Sequence, residues 1–148
     1  MPLTRQNPKQ LAAQQDAEHT KLEQWFQEIA QRASSGDSRS CDEVWNDFTQ
    51  QLENHMTFEE NELFPRYARR GDAEAEIVAG LLAEHAEVRK QIEAIGVDLQ
   101  LHLGNLDVFD GLFTKLRQHA RRERETLYPW LAVQKAPSSP PQPTARAH

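Results

Sequence analysis

The feature that most constrains this chain is the spacing of its apolar residues, which return every three or four positions through four long segments. This spacing places apolar side chains along one face of an α-helix, whereas a half-buried strand alternates with a period of two. No strand-like alternation competes with it. The apolar stripes consist, segment by segment, of Leu11, Leu22, Phe26, Ile29 and Ala33; of Trp45, Phe48, Leu52 and Leu63; of Val78, Leu81, Val88, Ile92, Ile95 and Leu99; and of Phe109, Leu112, Leu116, Leu127 and Leu131.

Capping residues and helix breakers separate these segments. Asn7 before Pro8 predicts a helix start, with Asn as N-cap and Pro in the first turn. Ser40 and Glu43 have the spacing of a capping box, so the second helix is expected to start there. The predicted connections are Ser34–Ser38, Gly71–Asp72 and Gly104–Asn105. Four amphipathic helices with short connections predict an all-α fold, an antiparallel up-down-up-down four-helix bundle.

Length and composition bound the remaining possibilities. The 148 residues suit one domain. We expect the bundle to span residues 1–135 and the proline-rich segment 136–148 to be a disordered tail. A net charge of -6 argues against nucleic acid or an anionic membrane surface as a partner. No apolar run approaches the roughly 20 residues that cross a bilayer.

The cysteine content restricts the chemistry of any metal site. Cys41 is the single cysteine, so no intrachain disulfide and no thiolate cage for zinc can form. With a polar N-terminus that lacks the apolar stretch of a secretory signal, this favours a cytoplasmic location. A metal site in this chain must therefore be built from His, Asp and Glu side chains.

Ionisable residues occupy positions on the stripes where apolar residues are expected. A lone histidine on an apolar face is usually a satisfied core residue. That explanation weakens when it must be invoked on every helix, because each buried ionisable group without partners costs several kcal/mol. The six residues are His19, His55, Glu59, His85, His119 and Glu123.

The predicted hairpins bring these six residues to one level of the bundle. His19 and His55 lie equally far from Asp37, the centre of the first connection. Counted from the connections at Gly71 and Gly104, the other four residues lie at positions along the bundle axis that agree within about one helical turn of ~5.4 Å. Each His-x-x-x-Glu pair also presents both side chains on one helix face. A carboxylate can bridge two ions with its two oxygens, so the sequence predicts a two-metal centre. Imidazole and carboxylate donors without thiolate suit iron, manganese or zinc.

The chain repeats its own pattern. Segment 17–22 resembles segment 83–88, and segment 55–65 resembles segment 119–129. Each half thus carries one His on its first helix and His-x-x-x-Glu on its second, which predicts a pseudo-twofold axis through the centre. Pro65 and Pro129 occupy matching positions and are expected to kink or end their helices beyond the site.

The combined pattern resembles the hemerythrin-like (HHE cation-binding) family from Leu11 to about Val133. The resemblance implies a carboxylate-bridged, non-haem di-iron centre in the bundle, with Mn or Zn as possible replacements. By analogy, the bridging ligands are Glu59 and Glu123, one ion is bound by His19 and His55, and the other by His85 and His119.

The sequence also departs from the oxygen-carrying members of that family. Their second helix-three histidine is missing, since Leu81 and Arg89 occupy the corresponding positions. The helix-four acid is Glu123, four residues after its histidine, whereas position five is Arg124. The centre would then have more open positions than an oxygen carrier needs, and water or Glu23 are the candidates to fill them.

Two acids near the predicted centre have other expected roles. Glu23 lies one turn beyond His19, and we expect it to pair with a cation such as Arg89 rather than to bind metal. Glu60 follows the bridging Glu59 directly, and we expect it to be solvated or to support a ligand without binding metal.

Three functions fit such a centre. The first is binding or sensing of oxygen or a related small ligand, and it is preferred because no acid–base pair or substrate pocket is visible in the sequence. The second is a redox enzyme that acts on peroxide, nitric oxide or iron, and the third is an iron-holding or structural metal protein. Ferritin-like oxidases are disfavoured because they use Glu-x-x-His pairs. The sequence does not decide whether the chain is an enzyme, or its oligomeric state.

Overall fold

The computed structural model describes residues 7–36, 38–100 and 106–134, and these residues form helices without any strand. Four long helices make a four-helix bundle, as the stripes predict. Two of them continue after a break into a short helix. The elements are α1 (Pro8–Ser35), α2 (Ser38–Phe58), a π-helical turn (Glu59–Leu63), α3 (Phe64–Ala68), α4 (Asp72–Gln100), α5 (Leu106–Glu125) and α6 (Leu127–Ala132).

The contacts between consecutive long helices run in antiparallel order. Near the first turn the Cys41 thiol donates to the Ile29 carbonyl, and farther along His55 lies beside His19. The same order links α4 with α2 and its π-helical turn, through Arg89–Glu53 and His85–Glu60, and α4 with α5, through Lys115–Glu87 and Arg122–Glu84. Residues at equal distance from a turn therefore face one another.

The helix starts agree only in part with the capping signals. The Asn7 side chain accepts a hydrogen bond from the Lys9 backbone N–H at 2.9 Å, which confirms the first N-cap. The capping box at Ser40 is wrong, because α2 already begins at Ser38. The connection is shorter than expected since Gly36 turns the chain in a left-handed conformation, with φ of 81°, that favours glycine. The predicted Gly104–Asn105 connection and the predicted tail 136–148 lie outside the described residues.

Two apolar clusters fill the interior, and the polar residues lie between them. The first cluster consists of Leu22, Phe26, Ile29, Cys41, Trp45, Phe48, Leu52, Met56, Val88, Ile95, Phe109 and Leu112. The second consists of Leu11, Ala12, Leu63, Phe64, Tyr67, Val78, Leu81, Leu127, Tyr128 and Leu131. On α4, for example, His85 falls between Leu81 of the second cluster and Val88 of the first. The core is thus divided by one polar layer.

Breaks follow that layer on two of the bundle helices. Glu59 opens the π-helical turn after α2, and Pro65 lies in the first turn of the α3 that follows. The fourth bundle helix breaks at Thr126, and Pro129 lies in α6. These breaks confirm the prediction that both helices are interrupted near their prolines. The physical reason is that a proline removes a backbone hydrogen-bond donor. No helix of the described ranges is both long enough and apolar enough to span a bilayer.

Candidate metal centre

All six ionisable residues singled out in the sequence meet in the polar layer. His55, His85 and His119 are 5%, 0% and 6% exposed, and Glu59 and Glu123 are both at 0%. The His19 side chain is 9% exposed. The six residues form two groups that share both glutamates, and within each group one ligand atom per residue lies within 4.8 Å of the others. The structure therefore brings the six together, while their role as metal ligands stays a prediction.

One group contains the histidines of α1 and α2. The Nε2 atoms of His19 and His55 are 3.0 Å apart. His55 Nε2 lies 3.4 Å from Glu59 Oε1, and His19 Nε2 lies 3.1 Å from Glu123 Oε1. Both imidazoles thus turn the same nitrogen toward one point between the two carboxylates.

The other group repeats this arrangement with the histidines of α4 and α5. The Nε2 atoms of His85 and His119 are 2.9 Å apart. His85 Nε2 lies 3.4 Å from Glu59 Oε1, and His119 Nε2 lies 3.1 Å from Glu123 Oε1. Each glutamate faces an imidazole of both pairs, as the internal repeat of the sequence predicts.

Carboxylates outside the cluster hold three of the four imidazoles by the other ring nitrogen. In each case the Nδ1–H group donates to the carboxylate. The pairs are His55 with Glu18 at 2.6 Å, His85 with Glu60 at 2.7 Å and His119 with Glu84 at 2.8 Å. A proton on Nδ1 leaves the Nε2 lone pair free toward the centre. Such carboxylate–histidine pairs are typical of metal-binding histidines, because they fix the tautomer and raise the basicity of the ring.

His19 is the exception among the four histidines. Its Nδ1 is buried and has no hydrogen-bond partner among the described residues. The internal repeat relates His19 to His85 and Arg124 to Glu60, the residue that holds His85. Arg124 forms an ion pair with Asp16 instead. The two halves of the centre are therefore supported differently.

The buried charges set the protonation of the imidazoles. Burial alone lowers the pKa of His55, but Glu59 and Glu18 outweigh it and raise that pKa to about 10. For His119, burial is outweighed by Glu123 and Glu84, and the pKa is also raised to about 10. Burial and the neighbouring His55 lower the pKa of His19 to about 3. Without metal, His55 and His119 thus carry protons that a metal ion would have to displace.

Unsatisfied oxygen atoms test whether a metal fits this centre. Glu59 Oε1 and both carboxylate oxygens of Glu123 are buried without a hydrogen-bond partner in the described part of the chain. A buried polar atom without a partner costs ~1–3 kcal/mol. In the metal-free protein the protonated His55 and His119 rings, at 3.4 and 3.1 Å, offset part of this cost for Glu59 Oε1 and Glu123 Oε1. Two imidazoles that bind one ion at a right angle, each at ~2.1 Å, have their nitrogens ~3.0 Å apart. The observed 3.0 and 2.9 Å separations agree with this value, so both histidine pairs fit a shared ion.

Comparison with known families agrees with this geometry. The sequence model of the hemerythrin HHE cation-binding domain family matches residues 10–131, which is most of the chain. The chain belongs to this family. No curated protein and no solved structure matches it. Family membership confirms the resemblance seen in the sequence and shows a cation-binding domain, whereas the kind and number of ions remain to be proposed.

Tyr128 is a site residue of this hemerythrin-like domain that the sequence stripes did not reveal. Its hydroxyl donates to Glu59 Oε2 at 3.2 Å, and the hydroxyl oxygen of Tyr128 also lies 3.1 Å from His19 Nε2. Burial, followed by the charges of Glu123 and Glu59, raises the pKa of Tyr128 far above its usual range. The one available signal was the repeat itself, in which Phe64 of the first half corresponds to Tyr128 of the second.

The two acids adjoining the centre have partners of the kind that the sequence predicts. Glu23 accepts hydrogen bonds from Arg117, with the shorter at 2.6 Å, which confirms the expected pairing with a cation, although the cation is Arg117 and not Arg89. Arg89 cannot serve both, because it faces α2 and there bonds Glu53 and Glu60. Glu60 supports His85 without belonging to either ligand group, which confirms the expectation for that residue.

A cavity of about 280 Å³ adjoins the histidines of this hemerythrin-like domain. All four histidines contribute to its wall, while Glu59 and Glu123 do not. Most of the remaining wall is apolar and comes largely from the first cluster. The apolar lining residues are Leu22, Phe26, Leu52, Met56, Val88, Phe113, Leu116 and Ala120. The charged lining residues are Glu23, Arg117, Arg121 and Arg124, so the histidines border a cavity whose wall is apolar in the larger part.

Proposed function

We propose that this hemerythrin-like domain binds two iron ions and uses them to bind oxygen or a related small ligand. His19 and His55 would hold one ion, and His85 and His119 the other, while Glu59 and Glu123 serve both. The observation that carries the proposal is the pair of buried carboxylates, three of whose oxygens have no hydrogen bond, set between two pairs of converging imidazole nitrogens. Two cations would neutralise these carboxylates and use the lone pairs of all four rings.

The choice of iron rests on the donor set and on the cavity. Imidazole with carboxylate, and open positions beside it, is the donor set of many non-haem iron sites. The bound pair of irons supplies electrons that can be shared reversibly with a small ligand. The chain itself positions three of the nitrogens through Glu18, Glu60 and Glu84 and lines most of the ligand space with apolar side chains. An apolar wall limits access of water and protons to whatever binds there.

The experiment has two stages, and the first counts the ions. The full-length protein is loaded with Fe²⁺ without oxygen, desalted and analysed for iron, and we expect two ions per chain. Glu59→Ala should lose at least one ion because the carboxylate faces both histidine pairs. Glu62→Ala makes the same charge change in the same π-helical turn outside the ligand groups, and it should keep both ions.

The second stage separates the candidate functions. The reduced, loaded protein is mixed with oxygen in a stopped-flow spectrometer. A charge-transfer band that persists, and that disappears when oxygen is removed, supports ligand binding. Rapid irreversible oxidation with turnover of added peroxide would indicate the redox enzyme instead. Stable iron without any response to either ligand would indicate an iron-holding protein.

A further inference from the structure

The pseudo-twofold repeat is broken at one aromatic position beside the centre. Phe64 packs on the His85 ring with centroids 5.2 Å apart and planes at 32°. Tyr128 packs on the His19 ring with centroids 5.5 Å apart and planes at 33°. The two rings therefore occupy equivalent places, and the halves differ by one hydroxyl group that points into the layer of ligands.

The position of that hydroxyl matches the spacing of ligands around one ion. Its oxygen is 3.1 Å from His19 Nε2 and 3.2 Å from Glu59 Oε2. Donors at right angles around one ion are ~3.0 Å apart when each bond is ~2.1 Å long. The Tyr128 oxygen thus lies as far from His19 Nε2 as the imidazole nitrogens lie from each other, and its other neighbour belongs to the carboxylate of Glu59.

Hydrogen bonding accounts for both contacts while no ion is bound, but for only one of them once His19 Nε2 binds an ion. Donation to Glu59 accounts for the 3.2 Å distance. Without metal, the 3.1 Å contact between the hydroxyl and His19 Nε2 is a hydrogen bond as well. That bond is lost on metal binding, because a lone pair that binds an ion can no longer accept a hydrogen bond. With the ion in place, the oxygen beside that nitrogen faces the ion itself.

We propose that the Tyr128 oxygen is a ligand of the ion held by His19 and His55, and that the ion held by His85 and His119 has no such ligand. The proposal rests on the proposed di-iron centre and makes its two positions chemically inequivalent. On binding, the O–H bond is replaced by an oxygen–metal bond, and the phenol proton leaves to solvent.

The test uses the colour that a phenolate gives to Fe³⁺. The full-length protein is loaded anaerobically with Fe²⁺, its iron is counted, and it is then oxidised and examined by visible and resonance Raman spectroscopy. The chain has two tyrosines, and Tyr67 lies against Trp130 in the second cluster, outside the ligand groups. We expect the phenolate-to-iron band to be lost in Tyr128→Phe and kept in Tyr67→Phe. Phe64 at the equivalent place indicates that phenylalanine fits there.

A label makes the test independent of how the variant folds. Wild-type protein grown with ring-deuterated tyrosine should shift the phenolate vibrations that are enhanced within the band. Two ions per chain without any tyrosine-dependent band would overturn the ligand role of Tyr128 and leave the di-iron centre standing. Failure of the wild type to retain iron would overturn the proposed function as well.

Discussion

Glu60→Gln is the perturbation that most specifically probes how the centre is held. Glu60 Oε2 accepts from His85 Nδ1 at 2.7 Å and from Arg89 at 2.8 Å. Partial burial raises the pKa of Glu60, but the hydrogen bonds from Arg89 and His85 outweigh it and lower that pKa, so the carboxylate is ionised. The substitution removes this charge and keeps the size of the side chain.

The size of the effect follows from the kind of bond that is changed. Loss of a carboxylate partner behind a metal-binding histidine typically lowers metal affinity ~10–100-fold. This range corresponds to ~1.4–2.7 kcal/mol of binding free energy. Glutamine can still accept the Nδ1–H through its amide oxygen, as a neutral bond of roughly half the strength. We therefore expect about a 10-fold loss for Glu60→Gln and a loss nearer 100-fold for Glu60→Ala.

A matched control separates this effect from the loss of an Arg89 ion pair. Glu53 also bonds Arg89, but its side chain is 52% exposed and contacts no histidine in the described residues. Metal-free proteins are titrated with Zn²⁺ against a chromophoric chelator of known affinity, which avoids redox chemistry. Glu53→Gln should bind within about twofold of wild type, since an exposed ion pair contributes little. Equal affinities of Glu60→Gln, Glu53→Gln and wild type would refute the role assigned to Glu60.

The remaining predictions concern metal removal, pH and the unsupported His19. Chelation should lower the melting temperature, because bound ions stabilise only the folded state, and an unchanged melting curve after confirmed metal loss would contradict a core site. In the metal-free protein the pKa values of His55 and His119 are raised to about 10 from 6.5, so the stability they contribute is full below pH 6.5 and is lost as the pH rises through about 10. Urea unfolding should show this decline between pH 7 and pH 10, and a rise in stability over that range would argue against it. Arg124→Glu should supply the partner that His19 Nδ1 lacks and raise metal affinity by up to ~10-fold. Arg121→Glu makes the same charge change on the same helix and should not raise the affinity. Equal effects of the two substitutions in the Zn²⁺ titration would count against the role assigned to position 124.

The fold and the level of the centre could be predicted from sequence because both depend on periodicity. A stripe of apolar residues fixes which face of a helix is buried, and an ionisable residue on that stripe is carried into the core with it. Equal distances from a turn then bring His19 beside His55, which the structure shows at 3.0 Å. The start of α2 was misplaced because a capping box describes local bonding, whereas the turn at Gly36 allowed the helix to start earlier.

Side-chain partners across the bundle could not be predicted in the same way. Long charged side chains reach neighbours on either side of their helix. Whether Glu23 pairs with Arg117, as it does, or with Arg89 therefore depends on the angles between helices. Glu18 and Glu84 precede repeated histidines yet hold the histidines of the next helix, a relation that emerges only from packing. The internal repeat contained part of this information, because it aligns residues that should have the same role and exposes those that differ.

Anomalous diffraction at the iron edge, from crystals of the anaerobically loaded protein, tests the central claim most directly. The di-iron account predicts two iron peaks in the polar layer, one at the Nε2 atoms of His19 and His55 and one at those of His85 and His119. Both peaks should be within bonding distance of Glu59 or Glu123 oxygens. A single peak, or iron bound outside this layer, would contradict the account.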